Sequence, residues 1–131
     1  MSESIASSSD CNPFADQRTF MQACGQTTDR MNIDQAALYG DLINEEYTEW
    51  LQSTPASIDD LDACVDIIVV IIGYMLSQGW DAEGAWREVM RSNMAKIDPA
   101  TGAVRRRVDG KILKPAGWTP PSLARFMGAL E

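Results

Sequence analysis

The sequence predicts an all-α fold of four to five helices with a small C-terminal β-hairpin and an irregular tail. Three observations predict it. Apolar residues recur at spacings of three and four through most of the chain. Ser, Asp, Gly and Pro stand at the ends of those stretches, where helices start and stop. Only beyond residue 100 does a strand-like run appear, around an Asp-Gly pair. At 131 residues the chain can bury a core without disulfides or structural metal. Residues 1–12 are expected to form a flexible tail and residues 13–131 a single domain.

In order, a first helix follows Pro13, with Phe14, Phe20, Met21 and Cys24 as its apolar stripe and Gly25 as its end. Residues 26–32 are polar and read as a loop. A second helix starts at Ile33 or Asp34 and runs to Gln52. Ala37, Leu38, Leu42, Ile43, Tyr47, Trp50 and Leu51 recur along it, and Ser53-Thr54-Pro55 stops it. The third helix opens on Ser57 as N-cap, with Asp60 three residues on, and ends near Gln78-Gly79. A fourth is capped by Asp81 and buries Ala85, Trp86, Val89, Met90 and Met94. Residues 103–108 and 111–114 are expected to pair about a type I′ turn at Asp109-Gly110. Residues 115–121 are proline-rich and irregular, and residues 122–130 are read as a last short helix.

The third helix is apolar nearly all round from Cys64 to Leu76, which implies burial on every side. So short a chain can hardly cover it alone, and a homo-oligomer is expected. Within that run sits Asp66, with Asp62 one turn earlier. A buried carboxylate is costly unless something positive meets it. Either these acids are half-exposed at one end of a core helix, or a cation pairs with them.

A net charge of −8 argues against a nucleic-acid-binding module. The charge is uneven: two basic residues against thirteen acidic ones up to Gly79, then nine basic against six acidic. Such an asymmetry suits a metal site first and a phosphate-contacting segment second, or two solvated faces. The absence of histidine removes Ser-His-Asp and Cys-His catalysis and histidine-ligated metal. Any metal must be held by carboxylates, which favours Mg²⁺ or Mn²⁺. Cys11, Cys24 and Cys64 show no pairing pattern and read as free thiols in a reducing compartment. No signal peptide is visible, and the apolar run is too short to span a bilayer, so a cytoplasmic protein with no membrane partner is expected.

Glu45, Glu46 and Glu49 lie at i, i+1 and i+4, so they can crowd one face of the second helix. Asp62 and Asp66 repeat the i, i+4 spacing on the third, which should return antiparallel. Carboxylates converging from two helices would attract a hard divalent cation, the alternative being a solvated helix face. Arg87, Arg91, Ser92, Asn93 and Lys96, with Lys111 and Lys114 beyond, offer donors that a polyphosphate requires; alone they also suit a helix C-terminus. Trp50 and Trp118 are candidates to stack on a base, or core and lid residues.

Taken together, EEYTEW, DACVDIIVVIIGYMLSQGWD, RSNMAKID and DGKILKPAGWTPP follow one another in order. The ordered set resembles the all-α nucleoside triphosphate pyrophosphohydrolases, the MazG-like and phosphoribosyl-ATP pyrophosphohydrolase-like family, over residues 14–123. The resemblance implies a MazG-like helical bundle, a homodimer or homotetramer, and Mg²⁺-dependent cleavage between the α- and β-phosphates of a nucleoside triphosphate. It carries the family's metal-binding carboxylates onto Glu45, Glu46, Glu49 and Asp66, with Glu46 or Glu49 as the base. Asn93 and Lys96 match positions that meet substrate phosphates, and Lys111 and Lys114 match a downstream lysine segment. The chain departs at Ala63, where the family usually carries a glutamate; Asp62 is the nearest acid. Two rival readings remain: a relative that binds nucleotides without hydrolysing them, and a structural helical oligomer with solvated acids.

Overall fold

The computed structural model describes residues 10–128 and is predominantly helical. The chain divides into two compact units, one through Trp80 and one from Asp81. The first holds α1 (Pro13–Ala23), α2 (Ile33–Gln52) and α3 (Ile58–Ser77). The second holds α4 (Ala82–Met94), β1 (Ile97–Asp98), β2 (Ala103–Arg106), β3 (Ile112–Leu113) and a 3₁₀ turn at Ala124–Phe126. Among the described residues no helix is long and apolar enough to cross a membrane. Of the expected N-terminal tail, residues 1–9 lie outside the described residues, and so does the end of the expected last helix.

Every α-helix starts on a side chain that accepts a backbone N–H, which relieves one of the unpaired donors at a helix N-terminus. Ser57 and Asp81 do so for α3 and α4, taking the amides of Asp60 at 3.1 Å and Gly84 at 2.9 Å. Asn12 and Asn32 cap α1 and α2 in the same way. Asp60 does not complete a capping box. Its carboxylate instead accepts the Ala56 amide at 2.9 Å and the Trp50 indole N–H at 3.0 Å. It thereby ties down the α2–α3 turn, where Ala56 holds a left-handed backbone with φ of 62°.

In the first unit, α2 packs along α3, and α1 packs on α3 as well. Apart from Met21, the residues buried on α1 and α2 are not the ones that apolar spacing marked. On α1, Gln17 and Met21 face inward while Phe20 and Cys24 are exposed. On α2 the buried residues are Gln35, Ala36 and Tyr39, whereas Leu38, Tyr47, Trp50 and Leu51 are exposed. Small residues explain this: the absent side chain of Gly73 on α3 admits the Tyr39 ring, which fixes the face that α2 presents. The inward polar groups are hydrogen-bonded, as burial demands. Gln35 Nε2 donates to Ser77 Oγ at 2.8 Å and to the Thr27 carbonyl at 2.7 Å. Ser77 Oγ in turn donates to the Gly73 carbonyl at 2.7 Å. Tyr39 donates its phenol O–H to Gln26 Oε1 at 2.7 Å. Within this chain α3 is not covered on all sides: Ile58, Leu61, Val65 and Ile68 are exposed.

The second unit corrects the stripe expected on α4. Trp86 and Met94 are exposed, and Ala82, Gly84, Glu88 and Ser92 are buried. Their partner is irregular chain, whose peptide groups need polar contacts when covered. Glu88 Oε2 accepts the Ser122 amide at 2.7 Å, and Ser92 Oγ donates to the Thr119 carbonyl at 3.1 Å. The bare Cα of Gly84 leaves room for the Phe126 ring. β1, β2 and β3 form an antiparallel sheet in that order, with Ile97 opposite Val104 and Arg105 opposite Leu113. The turn differs from the expected type I′. Gly110 donates to the Arg107 carbonyl and only Gly110 has positive φ, so Val108, Asp109 and Gly110 make a three-residue loop with glycine in the bulge position.

Candidate functional site

Glu46 lies two turns before the end of α2, on the side that turns toward α3. Its Oε2 is buried and has no hydrogen-bond partner. The carboxyl's pKa is raised above the ordinary glutamate value, first by burial, then by the neighbouring carboxylates of Glu49, Asp66 and Glu45. Three of the other carboxylates expected from the sequence, Glu45, Glu49 and Asp66, thus act on Glu46. Glu45 and Glu49 are exposed and Asp66 is half-buried. Asp62, one turn before Asp66 on α3, is exposed.

Among the described residues of this unit, no basic side chain pairs with these acids. Its two basic side chains are engaged elsewhere: Arg18 donates to the Thr28 carbonyl at 2.8 Å and Arg30 pairs with Asp29 at 3.2 Å. Among the described residues, no three Asp, Glu or Cys side chains stand as a finished metal-ligand set. The donors nevertheless fit a hard cation. They are all carboxylate oxygens, one is buried and unpartnered, and the exposed Glu45 and Glu49 have the side-chain freedom to close on it.

In the second unit, Lys96, Asn93, Lys114 and Trp118 come together. Lys96 Nζ donates to Asn93 Oδ1 at 3.2 Å. The ammonium groups of Lys96 and Lys114 lie 5.5 Å and 4.5 Å from the centroid of the Trp118 ring. Trp118 is fixed by its indole N–H, which donates to the Ser92 carbonyl at 2.7 Å. Lys111 is not brought to this ring; its side chain is exposed on the hairpin. Trp50, the other stacking candidate, is spoken for by Asp60 and packs 6.0 Å from the Tyr47 ring.

The residue that sequence reasoning missed is Glu88. Its carboxylate takes Arg91 at 2.8 Å, Arg125 at 3.5 Å and the Ser122 amide. The hydrogen bonds from Arg91 and Ser122 pull its pKa down to about 2. The available signal was the spacing Gly84, Glu88, Ser92, which is helical in period but not apolar. Compared with known proteins, the chain matches no family model and no curated protein.

Proposed function

We propose that this protein is a Mg²⁺-dependent nucleotide pyrophosphohydrolase that cleaves the α–β phosphate bond of a (d)NTP to a (d)NMP and pyrophosphate, in a pool-cleaning role. Mn²⁺ is the alternative metal. The observation that carries the reading is the buried, unpartnered Glu46 Oε2 among the charges of Glu45, Glu49 and Asp66. Like charges so placed disfavour one another, and a divalent cation turns that cost into binding. Glu45, Glu46, Glu49 and Asp66 would hold the ion, which supplies charge neutralisation at phosphate oxygens and a more acidic bound water. Glu46 or Glu49 takes the proton from the attacking water; the raised pKa of Glu46 makes it the better-matched base. Asn93, Lys96 and Lys114 are the chain's donors for phosphate oxygens, with Lys111 further along the same segment.

The same reading includes an all-α MazG-like bundle, a cytoplasmic location and a homodimer or homotetramer. The exposed Ile58, Leu61, Val65 and Ile68 on α3 support association, since an apolar row of this kind seeks cover. A second reading, a nucleotide-binding relative without hydrolysis, is favoured by the buried Ala63, with only the exposed Asp62 beside it as an acid. Incubation with Mg²⁺ and a panel of NTPs and dNTPs, with pyrophosphate release as readout, separates the two. Release from one or more nucleotides is expected; binding without release from any of them rejects the hydrolase.

A further inference from the structure

Four of the six arginines in the second unit contact a carboxylate. Arg87 pairs with Glu83 at 3.3 Å, Arg91 and Arg125 with Glu88, and Arg107 with Asp109. Lys96 and Lys114 differ. Among the described residues neither meets an acid within ion-pair distance, and both meet the Trp118 ring instead. A cation over an indole ring gains an attraction of about 0.5–1 kcal/mol at an exposed site, which holds the ammonium without neutralising it. Two uncancelled positive charges are thus held near one rigid ring, and the ring is rigid because Ser92 holds its N–H. Asn93 is joined to one of them through its amide oxygen, and its N–H₂ end, which donates one hydrogen to Met90 Sδ at 3.9 Å, keeps the other for an acceptor.

We propose that Trp118 is a positioning residue: it sets Lys96 and Lys114 as a paired-cation site for the diphosphate group of a ligand, and it is not a platform for a nucleobase. This rests on the pyrophosphohydrolase reading only for the source of the diphosphate. The ring attracts cations through its π-face, and with two ammonium groups already drawn to it, it serves them rather than a base. A diphosphate gives each lysine its own phosphoryl group, whereas one orthophosphate must share its oxygens and its charge between them.

The test is titration of the full chain with inorganic pyrophosphate and with orthophosphate in EDTA, followed by Trp fluorescence and calorimetry. Pyrophosphate is expected to bind at least about tenfold more tightly than orthophosphate. Lys96→Met, Lys114→Met and Trp118→Leu should each weaken pyrophosphate by about tenfold or more, the loss of one charge-assisted contact. Trp118→Phe, which keeps a ring, should retain most of the binding. Lys114 is exposed, so Lys114→Met keeps the test open even if Trp118→Leu fails to fold. No pyrophosphate binding, or binding indifferent to Lys114→Met, overturns the proposal, as does Trp118→Leu binding like wild type. If pyrophosphate binds as expected and no nucleotide is hydrolysed, the hydrolase reading fails while the paired-cation site stands.

Discussion

Gly73 of α3 and Tyr39 of α2 fit as bare backbone against ring: a Cβ built on Gly73 would fall 2.7 Å from Tyr39 Cζ and closer still to Cε1. Tyr39 is buried and its hydroxyl is bound to Gln26, so the ring has nowhere to retreat. Alanine favours a helix over glycine by about 1 kcal/mol, while overpacking a core costs about 1–3 kcal/mol. Gly73→Ala is therefore expected to lower stability by a net ~1 kcal/mol, read from the urea midpoint. A midpoint equal to wild type would show that α2 and α3 are not locked at this point.

Glu46→Gln should act in opposite directions on the apo protein and on its response to metal. The folded-state pKa of Glu46 is raised, so ionising it costs stability as pH climbs through that raised value, and an amide removes the cost. At pH 7 in EDTA the variant should melt above wild type. Wild type should gain stability on adding Mg²⁺, as a ligand that binds only the native state requires, and the variant should gain little. Equal metal-induced shifts in both would remove Glu46 from the metal set.

Glu49→Gln tests chemistry rather than stability. Glu49 is exposed, so the fold should be kept while pyrophosphate release is lost. Wild-type rates in this variant, measured with the nucleotide that wild type uses, would refute its role.

The Glu88 contacts make the second unit acid-sensitive. Because the folded-state pKa of Glu88 is depressed from 4.5 to about 2, its contribution is fully present above pH 4.5 and lost as pH falls toward 2. The Ser122 amide donates to this carboxylate, so its exchange protection, corrected for intrinsic rate, should fall between pH 5 and about 2. Protection that stays level across that range would mean that Glu88 does not hold the segment.

Leu61 and Ile68 lie one heptad apart on the exposed side of α3. If that side is a subunit interface, Leu61→Lys with Ile68→Lys should shift the sedimentation coefficient from oligomer to monomer. A wild-type protein that already sediments as a monomer would contradict the association.

The helix limits were legible because caps are local chemistry. Ser57 and Asp81 announce α3 and α4 by the hydrogen bonds they alone can make, and Ile33–Gln52 reads directly from its period. The inward faces were not legible. Apolar spacing favoured Leu38 and Tyr47, yet the packed face is chosen by Gly73 and Ser77 on the opposing helix, about which α2's own sequence says nothing. On α4 the partner is backbone, so the buried side carries Glu88 and Ser92, which composition marks as surface. At the site, the i, i+4 rule brought Glu45, Glu46 and Glu49 together. That the charge of Asp66 raises the Glu46 pKa depends on how two helices are aligned, which lies beyond one helix's periodicity.

That alignment is held by the Gln35–Ser77 hydrogen bond. An apolar seam tolerates sliding, because one aliphatic contact replaces another at little cost. A buried amide and hydroxyl do not, since moving α2 by one turn, about 5.4 Å, would break their hydrogen bond and leave Ser77 Oγ only the Gly73 carbonyl of its own helix. The bond lies toward the opposite end of the hairpin from Glu46, yet a slide of that size would carry Glu46 away from Asp66. Gln35 and Ser77 thus act as an index pin, so the spacing of the carboxylates is set by an uncharged pair far along the same two helices.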